Sequence, residues 1–184
     1  MKNWKILESS YPIADPWIRV RRDKCLVPNG KIIEAYHILE YPDWVNAVAL
    51  TDDGQVVLVK QYRHGVQREV IELVSGTVDP GENPDECVAR ELTEETGFVF
   101  ENIVRLCEIS PNPANHTNTT YCYLATGGKK VTTQDLDDSE ELDVLIVTME
   151  EFRNLLETNQ FAQALHVTGI YYALRKLGVD RKSV

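Results

Sequence analysis

No stretch of the 184 residues approaches the ~20 consecutive apolar residues that a membrane-spanning helix needs. The amino terminus, Met1-Lys-Asn-Trp-Lys, lacks the apolar core that follows the charged start of a secretory signal, so a cytoplasmic protein is expected. Cysteine is sparse. Cys25, Cys87, Cys107 and Cys122 show no C-x-x-C spacing, which weighs against a disulfide framework and against a zinc site. Positive charge is also short: 19 Lys and Arg face 29 Asp and Glu, a formal net charge of −10. That balance argues against general nucleic-acid binding and against an anionic membrane surface, both of which need a basic stripe. There is no internal repeat and no low-complexity linker. What is present is a 43% hydrophobic fraction and enough chain for one ordinary domain, or one domain with a small appendage.

The most informative stretch runs from Gly76 to Phe98. Asn83 is a good helix N-cap, Pro84 suits the first helical position, Asp85 and Glu86 complement the positive end of the dipole, and Gly97 stops the helix. Glu91, Glu94 and Glu95 then share one side of the last turn and a half. Like charges at these spacings repel by roughly 0.2–0.5 kcal/mol per pair, and the negative end of the helix adds about 0.3–1 kcal/mol per charge. An acidic helix face is ordinarily a solvated one. Here Gly76, Pro80 and Gly81 specify a tight turn that brings Glu82 back towards the helix, and Arg90 is placed to orient one of the carboxylates by an ion pair. Four converging carboxylates suit a hard divalent cation, Mg²⁺ or Mn²⁺, whose coordination is completed by water and substrate phosphates.

The flanks read as follows. Residues 1–42 form an antiparallel appendage: a strand from Trp17, a turn at Pro28-Asn29-Gly30, a strand over Ile32 to Leu39, and a third strand near Trp4 to Glu8. A sheet of that size is marginal alone and must pack on the main domain or on another subunit. Trp44 to Leu50, Gln55 to Tyr62 and Arg68 to Val74 are strands, and Val56 to Val59 is apolar enough to be buried on both faces. Ile103 to Ile109, Tyr121 to Thr126 and Leu142 to Val147 are further strands, separated by polar loops over Ser110 to Thr119 and Gly127 to Glu141. Thr148 and Glu151 make a capping box for one helix, and Phe161 to Leu177 is a second, ended by Gly178. Pattern alone gives an α+β protein.

The segment from Gly76 to Phe98 resembles the Nudix box, G-x5-E-x7-R-E-U-x-E-E-x-G-U with U a bulky apolar residue. Gly76, Glu82, Arg90, Glu91, Leu92, Glu94, Glu95, Gly97 and Phe98 match all nine fixed positions. The resemblance implies a Nudix hydrolase with a mixed sheet in an α/β/α sandwich (residues 43–184), cleaving a nucleoside diphosphate linked to another moiety. Several flanking features resemble the ADP-ribose pyrophosphatase group: the small N-terminal sheet, Gln61-Tyr62-Arg63, Glu72-Leu73-Val74-Ser75-Gly76 where that group often has Glu-Leu-Pro-Ala-Gly, Pro113, and the acidic run before the last strand.

By that resemblance, Glu91, Glu95 and the Ser75 carbonyl hold Mg²⁺ with support from Glu94. A late-loop glutamate, Glu140 or else Glu141, takes the proton from the attacking water. Arg90 supports the box, Arg63 positions the diphosphate, and Glu72, Glu82, Trp44 and Arg19 complete the substrate set. ADP-ribose is the expected substrate, with AMP and ribose 5-phosphate as products. GDP-mannose, another nucleotide sugar or a dinucleoside polyphosphate is the alternative, and a non-catalytic nucleotide sensor the remote one. A homodimer is expected through residues 1–42, which in the resembling group also contribute to the nucleotide pocket.

Overall fold

Alternation and turn chemistry build the first forty residues into strands β1 (Lys5–Ala14), β2 (Arg19–Leu26) and β3 (Ile32–Glu40), hydrogen-bonded antiparallel in the order β1-β2-β3. The computed structural model describes residues 3–16, 18–136 and 141–179, so Trp17, where the sequence starts the second strand, lies outside the described residues. The turn into β3 uses Gly30 at φ 82°, a left-handed conformation that glycine adopts without penalty, and the Asn29 side chain accepts the Lys31 N–H. β1 is longer than its sequence suggests because it carries Pro12 across a register shift between Ser10 and Ile13. A bulge on an edge strand is one of the few places where a proline, lacking its N–H, fits a sheet. The chain divides into two compact units, Met1–Pro42 with Ser110–Thr119, and Asp43–Ile109 with Thr120–Val184. In the first, residues 110–119 are tied to β3: Leu39 donates to the Asn115 carbonyl, Thr117 donates to the Leu39 carbonyl, and the Tyr36 hydroxyl donates to the Ala114 carbonyl.

The second unit holds β4 (Trp44–Thr51), β5 (Val56–Arg63), β6 (Arg68–Glu72), β7 (Val74–Thr77), α1 (Pro84–Thr96), β8 (Phe98–Val99), β9 (Asn102–Ile109), β10 (Thr120–Lys130), β11 (Leu142–Val147), α2 (Met149–Glu157) and α3 (Ala164–Leu177). Its eight strands form one sheet along β11-β5-β4-β10-β8, with β6 on β5, β7 on β4 and β9 on β10. The β4–β10 pair is parallel and the others are antiparallel, so the sheet is mixed. Cys87, Val88 and Leu92 of α1 pack on one face with Val45, Ala47 and Val57, while Phe152 of α2 and Ile170 and Leu174 of α3 pack on the other with Val48, Val56 and Leu58. This is the α/β/α sandwich. Val56 to Val59 are fully buried, as a strand covered by helices on both sides requires.

Elements of the second unit also differ from the sequence reading, for nonlocal reasons. The run expected as one strand over Arg68 to Val74 is two, because at Leu73 the chain leaves β5 and pairs with β4 instead. Gly127 to Lys130, expected as loop, continues β10 past a register shift: Gly127 sits at φ 72° and Lys129 and Lys130 pair with β8. Gly128 is needed there for space, since a Cβ would run into the Phe100 ring. The last helix starts at Ala164, with Gln163 as N-cap, while Phe161 stays extended and bridges to Ile71.

Phe152 is the one buried residue of α2, and its ring meets that of Phe161 edge-on at 5.7 Å. Phe152→Ala is expected to cost about 3–5 kcal/mol, read as a lower denaturant midpoint at unchanged slope. Among the described residues no helix is long and apolar enough to cross a membrane.

Candidate active site

α1 is anchored at its start so that its last turn arrives at a cleft. The Asn83 side chain accepts the Asp85 N–H, and the Asp85 carboxylate accepts from Arg105 at 2.6 Å and from the Tyr123 hydroxyl at 2.7 Å. These two donors hold the Asp85 carboxyl below the usual carboxylate range, Arg105 contributing more. At the other end, orphan helix carbonyls are taken by the loop after β10: Asp135 N–H donates to the Glu94 carbonyl and the Gln134 side chain to the Glu95 carbonyl. Those bonds bring Asp135 and Leu136 into the cleft.

The cleft measures about 910 Å³ and is lined from both faces of the sheet. On the α1 side stand Ser75, Gly76, Arg90, Glu91, Glu94 and Glu95; on the α3 side stand Gln163, Leu165 and His166; Trp44, Gln61, Arg63 and Glu72 lie at the strand ends between them. Glu91 and Glu95 are 9% and 4% exposed. Gly76 has no Cβ for a spatial reason, since one would overlap the Glu91 carboxylate. Arg90 does more than orient a single carboxylate: it meets Glu82 through Nε at 3.0 Å and Nη2 at 3.2 Å, Glu91 through Nη1 at 2.9 Å and Glu94 through Nη1 at 2.8 Å. Arg90 and the Asp79 N–H hold the Glu82 carboxyl down at about 2, and Arg90 is itself raised above its ordinary value, chiefly by Glu82.

One guanidinium among four carboxylates leaves this patch strongly negative. Among the described residues no three His, Cys, Asp or Glu side chains are gathered tightly enough to hold a metal ion unaided, and Arg90 Nη1 lies against both Glu91 and Glu94. The donors nonetheless fit a hard divalent cation: carboxylate oxygens on consecutive helical turns, beside a glycine whose missing side chain admits Glu91, in a cleft with room for a diphosphate.

The remaining sequence candidates fall in different places. Arg63 pairs with the buried Glu72 at 2.7 Å, and Gln61 donates to the same carboxylate oxygen at 3.0 Å, so Glu72 anchors both side chains in the cleft wall. Glu82 holds Arg90 and is not among the residues lining the cleft. Arg19 belongs to the first unit, where it pairs with Glu40 and lies 4.9 Å over the Tyr11 ring. Glu141 is exposed and is not among the lining residues; Glu140 lies outside the described residues. Sequence reasoning missed Asp135 and His166 as cleft residues. The acidity of the 127–141 loop pointed to the region but not to the residue.

The segment 41–166 matches the Nudix domain family, more than half of the chain. The chain belongs to the Nudix family. Residues 4–39 match the nucleoside diphosphate sugar hydrolase N-terminal domain. Among individual relatives, the chain is 29% identical over 147 residues to an ADP-ribose pyrophosphatase of Bacillus subtilis (strain 168), covering 79% of each chain. It is 27% identical over 156 residues to a methanol dehydrogenase activator of Bacillus methanolicus, covering 84% of each. A crystal structure of an ADP compounds hydrolase superposes with a TM-score of 0.85 at 23% identity, covering 97% of this chain and 98% of the other, which shows a shared Nudix fold.

Acid sensitivity follows from the Nudix cleft's α3 wall. Burial, and secondarily the charge of Arg63, hold His166 neutral and depress it from 6.5 to about 3. A histidine depressed in the fold binds its proton only on unfolding, so its contribution is complete above pH 6.5 and is lost as the pH falls towards 3. In that window stability should fall by up to about 1.4 kcal/mol per pH unit from this group, measurable by denaturation at a series of pH values. A His166→Asn variant should show a flatter profile.

Proposed function

We propose that this Nudix protein hydrolyses the pyrophosphate bond of a nucleoside diphosphate sugar, ADP-ribose first among them. The observation that carries the reading is the pair of buried carboxylates, Glu91 and Glu95, set against Gly76 in a cleft large enough for a nucleotide sugar. The ADP-ribose pyrophosphatase relative and the match of residues 4–39 support the substrate class. Mg²⁺ bound by Glu91, Glu95, Glu94 and the Ser75 carbonyl would supply positive charge to the phosphate oxygens and to the attacking water.

The chain's own residues do the rest. Arg90 keeps Glu91 and Glu94 aimed and is in turn fixed by Glu82. Arg63, held on Glu72, positions the diphosphate, and Trp44 contributes to substrate binding. Water attacks one phosphorus in line, the bridging P–O bond breaks, and AMP and ribose 5-phosphate leave as a proton is released. That proton goes to a carboxylate of the acidic loop, Glu140 in first place and Glu141 next, with Asp135 as the cleft residue of the same loop. Single substitutions to Gln or Asn identify the base as the one whose loss lowers kcat while KM is kept.

A substrate panel incubated with Mg²⁺ tests the activity: AMP and ribose 5-phosphate are expected from ADP-ribose. Intact ADP-ribose beside cleaved GDP-mannose would move the assignment to the second nucleotide sugar. Binding without cleavage of any would leave a nucleotide sensor. A homodimer is part of the proposal. β1 is a sheet edge with all ten residues exposed, among them Ile6, Leu7, Tyr11 and Ile13, a surface that favours further pairing. Light scattering is expected to give twice the 20.9 kDa chain mass, and a monomer at micromolar concentration would contradict it.

A further inference from the structure

His166 stands in the first turn of α3, 4% exposed, and lines the cleft. Its Nδ1 accepts the N–H of Leu73 at 3.3 Å. Leu73 is the residue at which the chain passes from β5 to β4, so neither ladder claims its N–H and an acceptor from α3 has to take it. This bond fixes the tautomer. A proton on Nδ1 would point at the Leu73 N–H, and burial beside Arg63 opposes a second proton on the ring. The single proton therefore sits on Nε2, and the ring is a neutral, oriented hydrogen-bond donor.

The surroundings of that donor suit an anionic oxygen. Ala162 and the N-cap Gln163 line the cleft with it, so the positive end of a fourteen-residue helix faces the same space, and the first turn of α3 contains no acidic residue. Arg63 is the nearby cation. The α1 carboxylates lie on the other face of the sheet, which separates an acidic wall from a donor wall within one cleft.

We propose that His166 is a substrate-binding residue whose Nε2–H donates to a phosphate oxygen of the bound diphosphate, on the α3 side of the cleft. This rests on the diphosphate reading given above. A donor locked by a backbone bond on its far side needs no reorganisation when the ligand arrives, and a hydrogen bond to a charged oxygen is about twice as strong as one to a neutral group.

Two substitutions separate the two nitrogens of the ring. His166→Asn keeps an acceptor near the Nδ1 position for Leu73 and removes the Nε2 donor. His166→Gln puts a side-chain amide near the Nε2 position and gives up the acceptor. The inference expects His166→Asn to melt near the wild-type temperature yet raise KM for ADP-ribose about tenfold or more, with the effect on KM larger than on kcat. His166→Gln should melt lower and recover most of that KM. KM unaltered in His166→Asn, or equal losses in both variants, would confine His166 to holding Leu73 and overturn the inference.

A second measurement does not depend on turnover. Calorimetric titration with inorganic pyrophosphate and Mg²⁺ should show binding to the wild type and weaker binding to His166→Asn, while a ¹H–¹⁵N spectrum of the histidine rings should report the Nε2–H form. Equal pyrophosphate affinity, no binding to the wild type, or an Nδ1–H ring would each refute the proposal. Should the wild type bind pyrophosphate through His166 and yet cleave no nucleotide sugar, the substrate assignment fails and this one stands.

Discussion

Glu95→Gln is expected to lower turnover of ADP-ribose at saturating Mg²⁺ by about 10²–10³-fold while leaving the metal-free protein as stable as the wild type or more so. The two halves of that expectation share one cause. Glu95 is buried in the last turn of α1, one turn from the buried Glu91, and that turn itself contains no basic residue. Neutralising it removes like-charge repulsion of roughly 0.2–0.5 kcal/mol per pair and an unfavourable interaction with the helix end of about 0.3–1 kcal/mol, at constant shape. A carboxylate kept at such a position is retained for what it binds. Thermal melts give the partner measurement: Mg²⁺ should raise the wild-type melting temperature, because a ligand that binds only the folded state stabilises it, and the rise should shrink in the variant. Turnover at the wild-type rate in Glu95→Gln would end the reading of this helix as the metal-holding element.

Gly76→Ala is the second large effect, and it tests space where the first tests charge. A methyl group at position 76 would occupy the volume of the Glu91 carboxylate. Either the carboxylate swings away from Ser75 and the cleft, or β7 shifts off β4, where Gly76 is registered with Val45. Activity should fall by at least about 10²-fold on the same charge-stabilisation grounds, and stability by about 1–3 kcal/mol from overpacking. Gly76 is not among the glycines with positive φ, so the loss cannot be assigned to backbone conformation. The double variant Gly76→Ala with Glu91→Ala should recover most of the stability, since the clash loses its partner, and none of the activity. If the single variant is as active as the wild type, Glu91 is not held where its role requires.

Parts of this cleft were readable in the chain because their signals are local. Asn83, Pro84, Gly97 and the 91/94/95 spacing define a helix and an acidic face within twenty residues, and caps and charges act over that range. The capping box of Thr148 and Glu151 formed as read, with both reciprocal bonds present. Arg90 was legible as a partner for one carboxylate but not as the bridge among three, since Glu82 reaches it only through the folded loop. The Asp135 side of the cleft was illegible. That residue is brought in by hydrogen bonds to the Glu94 and Glu95 carbonyls from a loop some forty positions away, and nothing in a run of acidic residues says which one a distant helix end will seize.

By itself the sequence determined most of the elements, the acidic charge and the carboxylates gathered on α1, because periodicity, capping and charge spacing are short-range properties. Only the tertiary structure decided that β6 and β7 part at Leu73, that a buried histidine of α3 takes the freed N–H, and that Glu141 faces solvent while Asp135 faces the cleft. Those outcomes depend on which backbone groups are left without partners once strands far apart in the chain have paired, and such a shortage exists only after the sheet has formed.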